Sequence, residues 1–344
     1  MRIPAIDMAR GFTVFIMTAV HTLLLYSEPA VFSAATGRLF TFLSEAPGAP
    51  VFMTAMGVSF VFSSQRHIRS ACRRAAILLM LGYLLNTLKF LVPVAAGSMP
   101  PALLADFGIP SGSAAVWHFL LMGDILHLAA ISLVVLSLVY RLPHYAYMAA
   151  ILAFAVALTA PLLWGIRSED PVSDYLLALL WGNDSRVFFP VFPWLTYPLL
   201  GLTVGYYLQH HPAKAFIWCR NAGLLLMIAG MVISARHPEY HRGDFYRAAQ
   251  GGTLYYAGFV LCWLYGWHLA VRWIPAHPFF HLLGWLSKNI TSIYLLQWTL
   301  IFWMLPVAGY RQLNGWQTWL SMIMMTLLVM GVLLLLKRIR WKAT

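Results

Sequence analysis

Asp7-Met8-Ala9-Arg10-Gly11-Phe12-Thr13-Val14-Phe15-Ile16-Met17-Thr18-Ala19-Val20-His21 sets an acid, a base and an imidazole into an otherwise apolar run. On an α-helix, the eleven steps from Arg10 to His21 span about 16 Å and return almost to the same azimuth, with Asp7 close to that stripe. Ionisable groups in lipid cost at least ~2.5–3.5 kcal/mol each, so such a stripe belongs on a protein interior or a polar cavity. A signal peptide would also begin with Arg2 and Arg10, but Asp7 in its basic segment and the lack of a prompt small-x-small cleavage site argue against one.

The rest of the chain agrees with a membrane protein. Of its 344 residues, 61% are hydrophobic and 10% charged, and the mean hydropathy is +0.73. That is more apolar surface than a soluble fold can cover. The 14 Trp and 16 Tyr fit interfacial belts. A net charge of +12 does not point to nucleic acid, because the basic residues track the loops between apolar runs. Cys72, Cys219 and Cys262 have neither disulfide nor metal-site spacing.

Runs of about twenty apolar residues, enough to cross a ~30 Å core, fall at 8–27, 46–64, 74–93, 115–139, 145–166, 187–208, 215–234, 252–272, 282–305 and 314–336. The expectation is an all-α integral membrane protein of about ten transmembrane helices, a single domain over 1–344. Run 30–43 reads as a re-entrant or interfacial helix and 97–113 as a loop. Arg66, Arg69, Arg73, Arg74, Arg141, Lys214, Arg220, Arg272, Lys337, Arg338, Arg340 and Lys342 join Arg2 and Arg10 on one side under that count, which predicts cytoplasmic termini. The acids, apart from Asp7 and Asp124, fall in or beside the opposite loops.

Several residues carry chemistry. His21, in the outer half of the first span, suits a general base; a histidine alone there would be a packing contact, and its alignment with Arg10 and Asp7 favours the base. Asp124-Ile125-Leu126-His127 places an acid and an imidazole on one helix face, as a relay or as a buried structural pair. Asp124 is expected at the depth of His21. Asn86 and Lys89 share a face, where Lys89 either meets acceptor hydroxyls or snorkels to the interface. Arg66, Arg69, Arg73 and Arg74 suit a polyphosphate or anionic lipid, or serve topology alone. Ser287-Lys288-Asn289-Ile290-Thr291 places a cation and hydroxyls at a helix N-terminus, an anion site. Pro190, Pro193 and Pro198 crowd Trp194, which requires protein or a polar cavity around the broken backbone. Gly201 and Gly205 allow close helix approach.

In their order and spacing these residues resemble the heparan-α-glucosaminide N-acetyltransferase family, its bacterial members in particular, within the transmembrane acyltransferases. The resemblance runs through Asp7-x-x-Arg10-Gly11 to His21, a spacing shared with type-three membrane acyltransferases. It continues through Ala46-Pro47-x-x-Pro50 to Gly57, Arg73-Arg74 with Gly82-x-x-x-Asn86, and Asp124 to His127. Phe192-Pro193-Trp194-Leu195 to Gly201 and Ser287 to Tyr294 complete it. It implies a cytoplasmic acyl-CoA donor, usually acetyl-CoA, and an acceptor reached from the far side of the membrane; no metal is expected, and the expected location is a bacterial inner membrane. By resemblance His21 is the base, and Arg10 stands on the donor or structural side of the tunnel. The CoA phosphates would meet Arg66, Arg69, Arg73, Arg74, Lys288 and Asn289. Asp124 and His127 would serve the reaction, and Asp7, Asn86, Lys89, Trp194 and Gln297 would line the acceptor path.

Two departures stand out. Lysosomal relatives carry the histidine in a luminal segment after the first span, and Gln297 stands where many relatives have histidine. Expected partners are acyl-CoA, a carbohydrate or glycolipid acceptor and membrane lipids, with a homodimer left open and no nucleic acid. The rival readings are a proton-coupled transporter or flippase using Asp124 and His127, and a non-catalytic lipid-binding scaffold.

Overall fold

Proline, glycine and asparagine decide where the apolar runs break. The computed structural model describes residues 3–109, 113–274 and 277–342, and they are helical, with two isolated backbone bridges, Ser27 to Leu313 and Gly123 to Val187. Arg2 and residues 110–112 of the expected loop lie outside the described residues, as do the side chains of Arg340 and Lys342. Among the described residues, six helices are long and apolar enough to cross a membrane: Pro4–Tyr26, Ile68–Ala95, Tyr145–Leu163, Pro212–Ser234, Gln250–Trp273 and Gly315–Ile339.

The other four expected spans are built from shorter pieces. Run 46–64 is the 13-residue helix Ala49–Val61, which starts where Gly48 and Pro50 allow a sharp entry. Run 115–139 breaks into Ser113–Leu120 and Ile125–Val139. There Gly123 leaves the ladder: its N–H donates to Arg186 O at 2.7 Å and its carbonyl accepts from Phe188 N–H at 2.9 Å. Run 187–208 divides into Val191–Trp194 and Thr196–His210 around the cis Phe192–Pro193 bond. Run 282–305 breaks at Asn289 into Pro278–Lys288 and Ile290–Trp303. Run 30–43 is the helix pair Pro29–Ser33 and Ala35–Glu45, and the 97–113 loop contains the short helix Pro101–Asp106.

The chain forms two compact units. The first contains Met1–Ala9, Glu45–Gly82 and Met122–Pro275. In its interior, Ala49–Val61 and Thr196–His210 touch backbone to backbone: a Cβ on Gly57 would lie 2.1 Å from Pro198 O, and one on Gly201 2.1 Å from Thr54 O. Neither position admits a side chain.

The second unit contains Arg10–Ser44, Tyr83–Leu121 and Ala276–Thr344. Tyr26 Oη donates to Ile301 O at 2.6 Å, and Trp303 Nε1 donates to Leu88 O at 2.8 Å. Phe90 packs on Phe119 and Phe302. The chain around Leu313 pairs with Tyr26 and Glu28 through Leu313 N–H to Tyr26 O (2.8 Å) and Glu28 N–H to Leu313 O (3.0 Å).

Candidate functional site

Arg10, His21, Asn86, Lys89, Lys288, Asn289 and Gln297 of the expected site residues lie in the second unit. Arg10 Nε donates to Ser287 Oγ at 2.7 Å. Gly11 makes that contact possible, since a Cβ there would lie 2.1 Å from Leu283 O on the helix that carries Ser287. Eleven residues further along the first helix, His21 meets helix Ile290–Trp303. Its Nδ1 lies 3.1 Å from Gln297 Nε2, and its ring stacks on the Trp298 indole at a centroid distance of 4.1 Å. Thr18, one turn before His21, donates its hydroxyl to Gln297 Oε1 at 2.9 Å. Thr18 and Gln297 are fully buried, and His21 is half-buried.

Lys89 approaches the same indole from a third helix. Its Nζ lies 5.3 Å from the Trp298 ring centre and 4.7 Å from that of Phe90, a geometry in which the ring faces attract the cation. With 3% exposure it is buried, and the expected snorkelling does not occur. Lys89 sits in a π-helical turn, Thr87–Leu91, where Val92 N–H reaches back five residues to Thr87 O. Pro93 has no N–H for the carbonyl of residue 89, so the ladder shifts register there. Asn86, just before the turn, donates Nδ2 to Leu120 O at 3.0 Å. Among the described residues, none accepts a hydrogen bond from the buried Trp298 Nε1.

At the Asn289 break, Asn289 Nδ2 donates to Trp285 O at 2.7 Å and its Oδ1 accepts from Lys337 Nζ. Lys337 also lies over the Trp285 ring, 5.1 Å from its centre, and Lys288 is exposed. Lys337 reads in the sequence as a topology signal only; 48 residues separate it from its partner. Trp298 is the other residue the sequence reading passed over, although it adjoins Gln297.

In the first unit, Asp124 and His127 come together as a helix cap. Asp124 Oδ1 accepts from Ile125 N–H at 2.7 Å, Asp124 N–H donates to His127 Nδ1 at 3.1 Å, and the two complete a capping box. The imidazole lies against Gly82, where a Cβ would sit 2.7 Å from His127 Cε1. Trp194 is fully buried and donates Nε1 to Tyr246 O at 2.7 Å. Arg66 donates Nη1 to Val61 O and to the Tyr140 hydroxyl and receives Ser137 Oγ on its own carbonyl. Arg69 and Arg73 are exposed, Arg74 is half-buried, and Asp7 stands in the first turn of its helix, a favourable place for an acid.

In the first unit, the first turn of helix Pro171–Trp181 and the loops around Asp184 and Asp244 carry an ion-pair lattice. Arg186 reaches Asp174 at 2.6 Å and Asp184 at 3.0 Å, and Arg167 pairs with Asp184. Arg247 donates to Asp244 at 2.9 Å and to the carbonyls of Gly182 (3.1 Å) and Val187 (2.7 Å). The hydrogen bond from Arg186 holds the Asp174 carboxyl below its usual range. Burial pushes Asp184 upward, but Arg186 and Arg167 outweigh it and the net shift is down. A half-buried carboxyl, Glu45, accepts from the Tyr256 hydroxyl at 3.0 Å.

A family profile described as "Heparan-alpha-glucosaminide N-acetyltransferase, catalytic" matches residues 2–238. A search against curated proteins finds no match.

Proposed function

Because the chain belongs to the heparan-alpha-glucosaminide N-acetyltransferase catalytic family, we propose that it is a membrane-embedded acetyltransferase that uses His21 as general base. The acetyl group would come from acetyl-CoA on the cytoplasmic side of a bacterial inner membrane and pass to a sugar amine or hydroxyl on the far side. The terminal glucosaminide of the family description is the first acceptor to test.

The observation that carries this reading is the seating of His21, held between the Gln297 amide and the Trp298 indole, with the buried Lys89 ammonium on the same indole. His21 takes the proton of the acceptor amine or hydroxyl as that nitrogen or oxygen bonds to the thioester carbonyl carbon. Lys89 and the Trp298 N–H supply positive potential to the oxygen that becomes negative. The carbon–sulfur bond then breaks, and the imidazolium returns its proton to the departing thiolate. Arg10, oriented by Ser287, and Lys288 and Lys337 supply cations for the donor's phosphates. Asp124 and His127 act on the fold in this reading, because both are engaged in their helix cap, and the relay of a proton-coupled transporter is not carried forward.

The test is transfer from radiolabelled acetyl-CoA to a panel of amino sugars by purified protein in lipid. Wild type is expected to transfer, and His21→Ala is expected to lose transfer by at least about 10³-fold while still binding CoA. Full turnover in His21→Ala sinks the assignment of the base.

A further inference from the structure

A histidine base must present one particular nitrogen with its lone pair available, and whichever group bonds the other nitrogen sets that choice. At His21 that group is an amide. Gln297 lies between Thr18 Oγ1 (2.9 Å to Oε1) and His21 Nδ1 (3.1 Å to Nε2), with no exposed surface of its own. Two amide orientations fill the same envelope, since the oxygen and nitrogen of a glutamine are nearly isosteric. With Nε2 toward the ring, the amide donates to Nδ1, and the neutral imidazole keeps its proton on its own Nε2. Neither ring nitrogen then has a lone pair to offer. With the amide turned over, Oε1 accepts from Nδ1–H, the amide NH2 donates to the Thr18 hydroxyl oxygen, and the lone pair lies on the imidazole Nε2. A hydroxyl serves either orientation because it both donates and accepts.

We propose that Gln297 is the positioning residue for His21, holding Nδ1–H on its amide oxygen so that Nε2 takes the acceptor's proton. This rests on the acyl-transfer reading of His21. Trp298 fixes the plane of the ring by stacking, while Gln297 fixes its tautomer. A neutral partner also differs from a carboxylate in a useful way. A carboxylate at this point would favour the imidazolium and raise its pKa, leaving less free base near neutral pH. The amide orients the ring without that penalty. The charged group that reaches the same indole from the neighbouring helix is Lys89; on the other packed helix, Gln297 and Trp298 carry no charge.

The test compares wild type with Gln297→Leu and Gln297→Glu, each with 15N-labelled histidine in lipid, the His21 signal being the one lost in His21→Ala. Wild type is expected to hold one neutral tautomer and Gln297→Leu a mixture. Gln297→Glu, which keeps the shape and an acceptor oxygen, is expected to hold the ring protonated to a pH higher by about one unit or more. In turnover, Gln297→Leu is expected to lose about 10²-fold in kcat with KM for acetyl-CoA unchanged, and Gln297→Glu to recover most of it at raised pH. An unshifted His21 titration in Gln297→Glu, or one unchanged tautomer in all three proteins, overturns the proposal. Should Gln297→Leu fail to fold, the titration of Gln297→Glu decides alone. Transfer that survives His21→Ala strikes the acyl-transfer reading instead, and the spectra still report on Gln297.

Discussion

In the first unit charge meets charge: Arg186 and Arg167 on Asp184, Arg186 on Asp174, Arg247 on Asp244. The second unit has an ion pair too, Arg311 on Asp106, but there a serine hydroxyl also accepts from Arg10, an amide and an indole flank His21, and two ring faces lie beside the Lys89 ammonium. The difference separates two uses of the same residue types. A lattice of opposite charges at half-exposed positions ties a helix start to its neighbouring loops and has little left to offer a ligand. Burying a lysine carries a desolvation penalty of several kcal/mol, and each ring face returns about 1–2 kcal/mol, so the Lys89 charge is the feature of the second unit whose role in the proposed transfer is most worth testing.

The strongest way to break this contrast is Lys89→Met. Methionine fills the same space and suits aromatic neighbours, so thermal unfolding in lipid should hold or move upward. Transfer should fall by about 10²–10³-fold, the usual cost of removing one electrostatic stabiliser, with most of the loss in kcat. A variant that loses stability in step with activity would return Lys89 to the fold.

Arg186→Met should do the reverse. Its guanidinium is 29% exposed and joins carboxylates 18% and 31% exposed, so the network is only partly screened. Removing its centre should cost about 1–3 kcal/mol, read as earlier thermal unfolding and faster proteolysis within 166–190. Turnover per folded molecule should stay within about threefold of wild type.

How much of this contrast could be read from the sequence follows from the distances involved. Arg10 and His21 were legible because both lie on one helix, where the period of 3.6 fixes their relative azimuth. Ser287 and Gln297 were visible as unusual residues, but their partners lie 277 and 276 residues away, and no local pattern encodes that pairing. The i,i+3 spacing of Asp124 and His127 permits a facing pair on a helix, yet Gly123 ends the preceding segment there and turns the two into a cap. The local breaks at Gly123, around Pro193 and at Asn289 divide three of the expected runs into shorter helices, and the fourth, 46–64, is a single 13-residue helix. Hydropathy windows average across such breaks.

Acid should affect the two regions unequally. Asp174 and Asp184 have folded pKa values below their usual ones. Their contribution is therefore fully present above the ordinary carboxylate range and is lost as pH falls through the depressed folded values, below about 4. Hydrogen exchange should show the 166–190 segment, with its helix Pro171–Trp181, opening in that window and stable above it. In Arg186→Met the opening should begin at higher pH, because the carboxyls lose the partner that holds them down.

The finest cut is Asp124→Asn, since it asks which side of the contrast Asp124 belongs to. Asparagine caps a helix about as well as aspartate, so the bond to Ile125 N–H can persist while the negative charge goes. If Asp124 serves the fold, unfolding should shift by no more than about 0.5 kcal/mol and transfer should stay within a few-fold of wild type. Asp124→Ala, which deletes the cap, should cost about 1 kcal/mol and leave the His127 ring with half of its box. The pair of variants divides cap from charge. Transfer lost in Asp124→Asn at unchanged stability would mean that the carboxylate acts on the reaction through its charge and not through the cap.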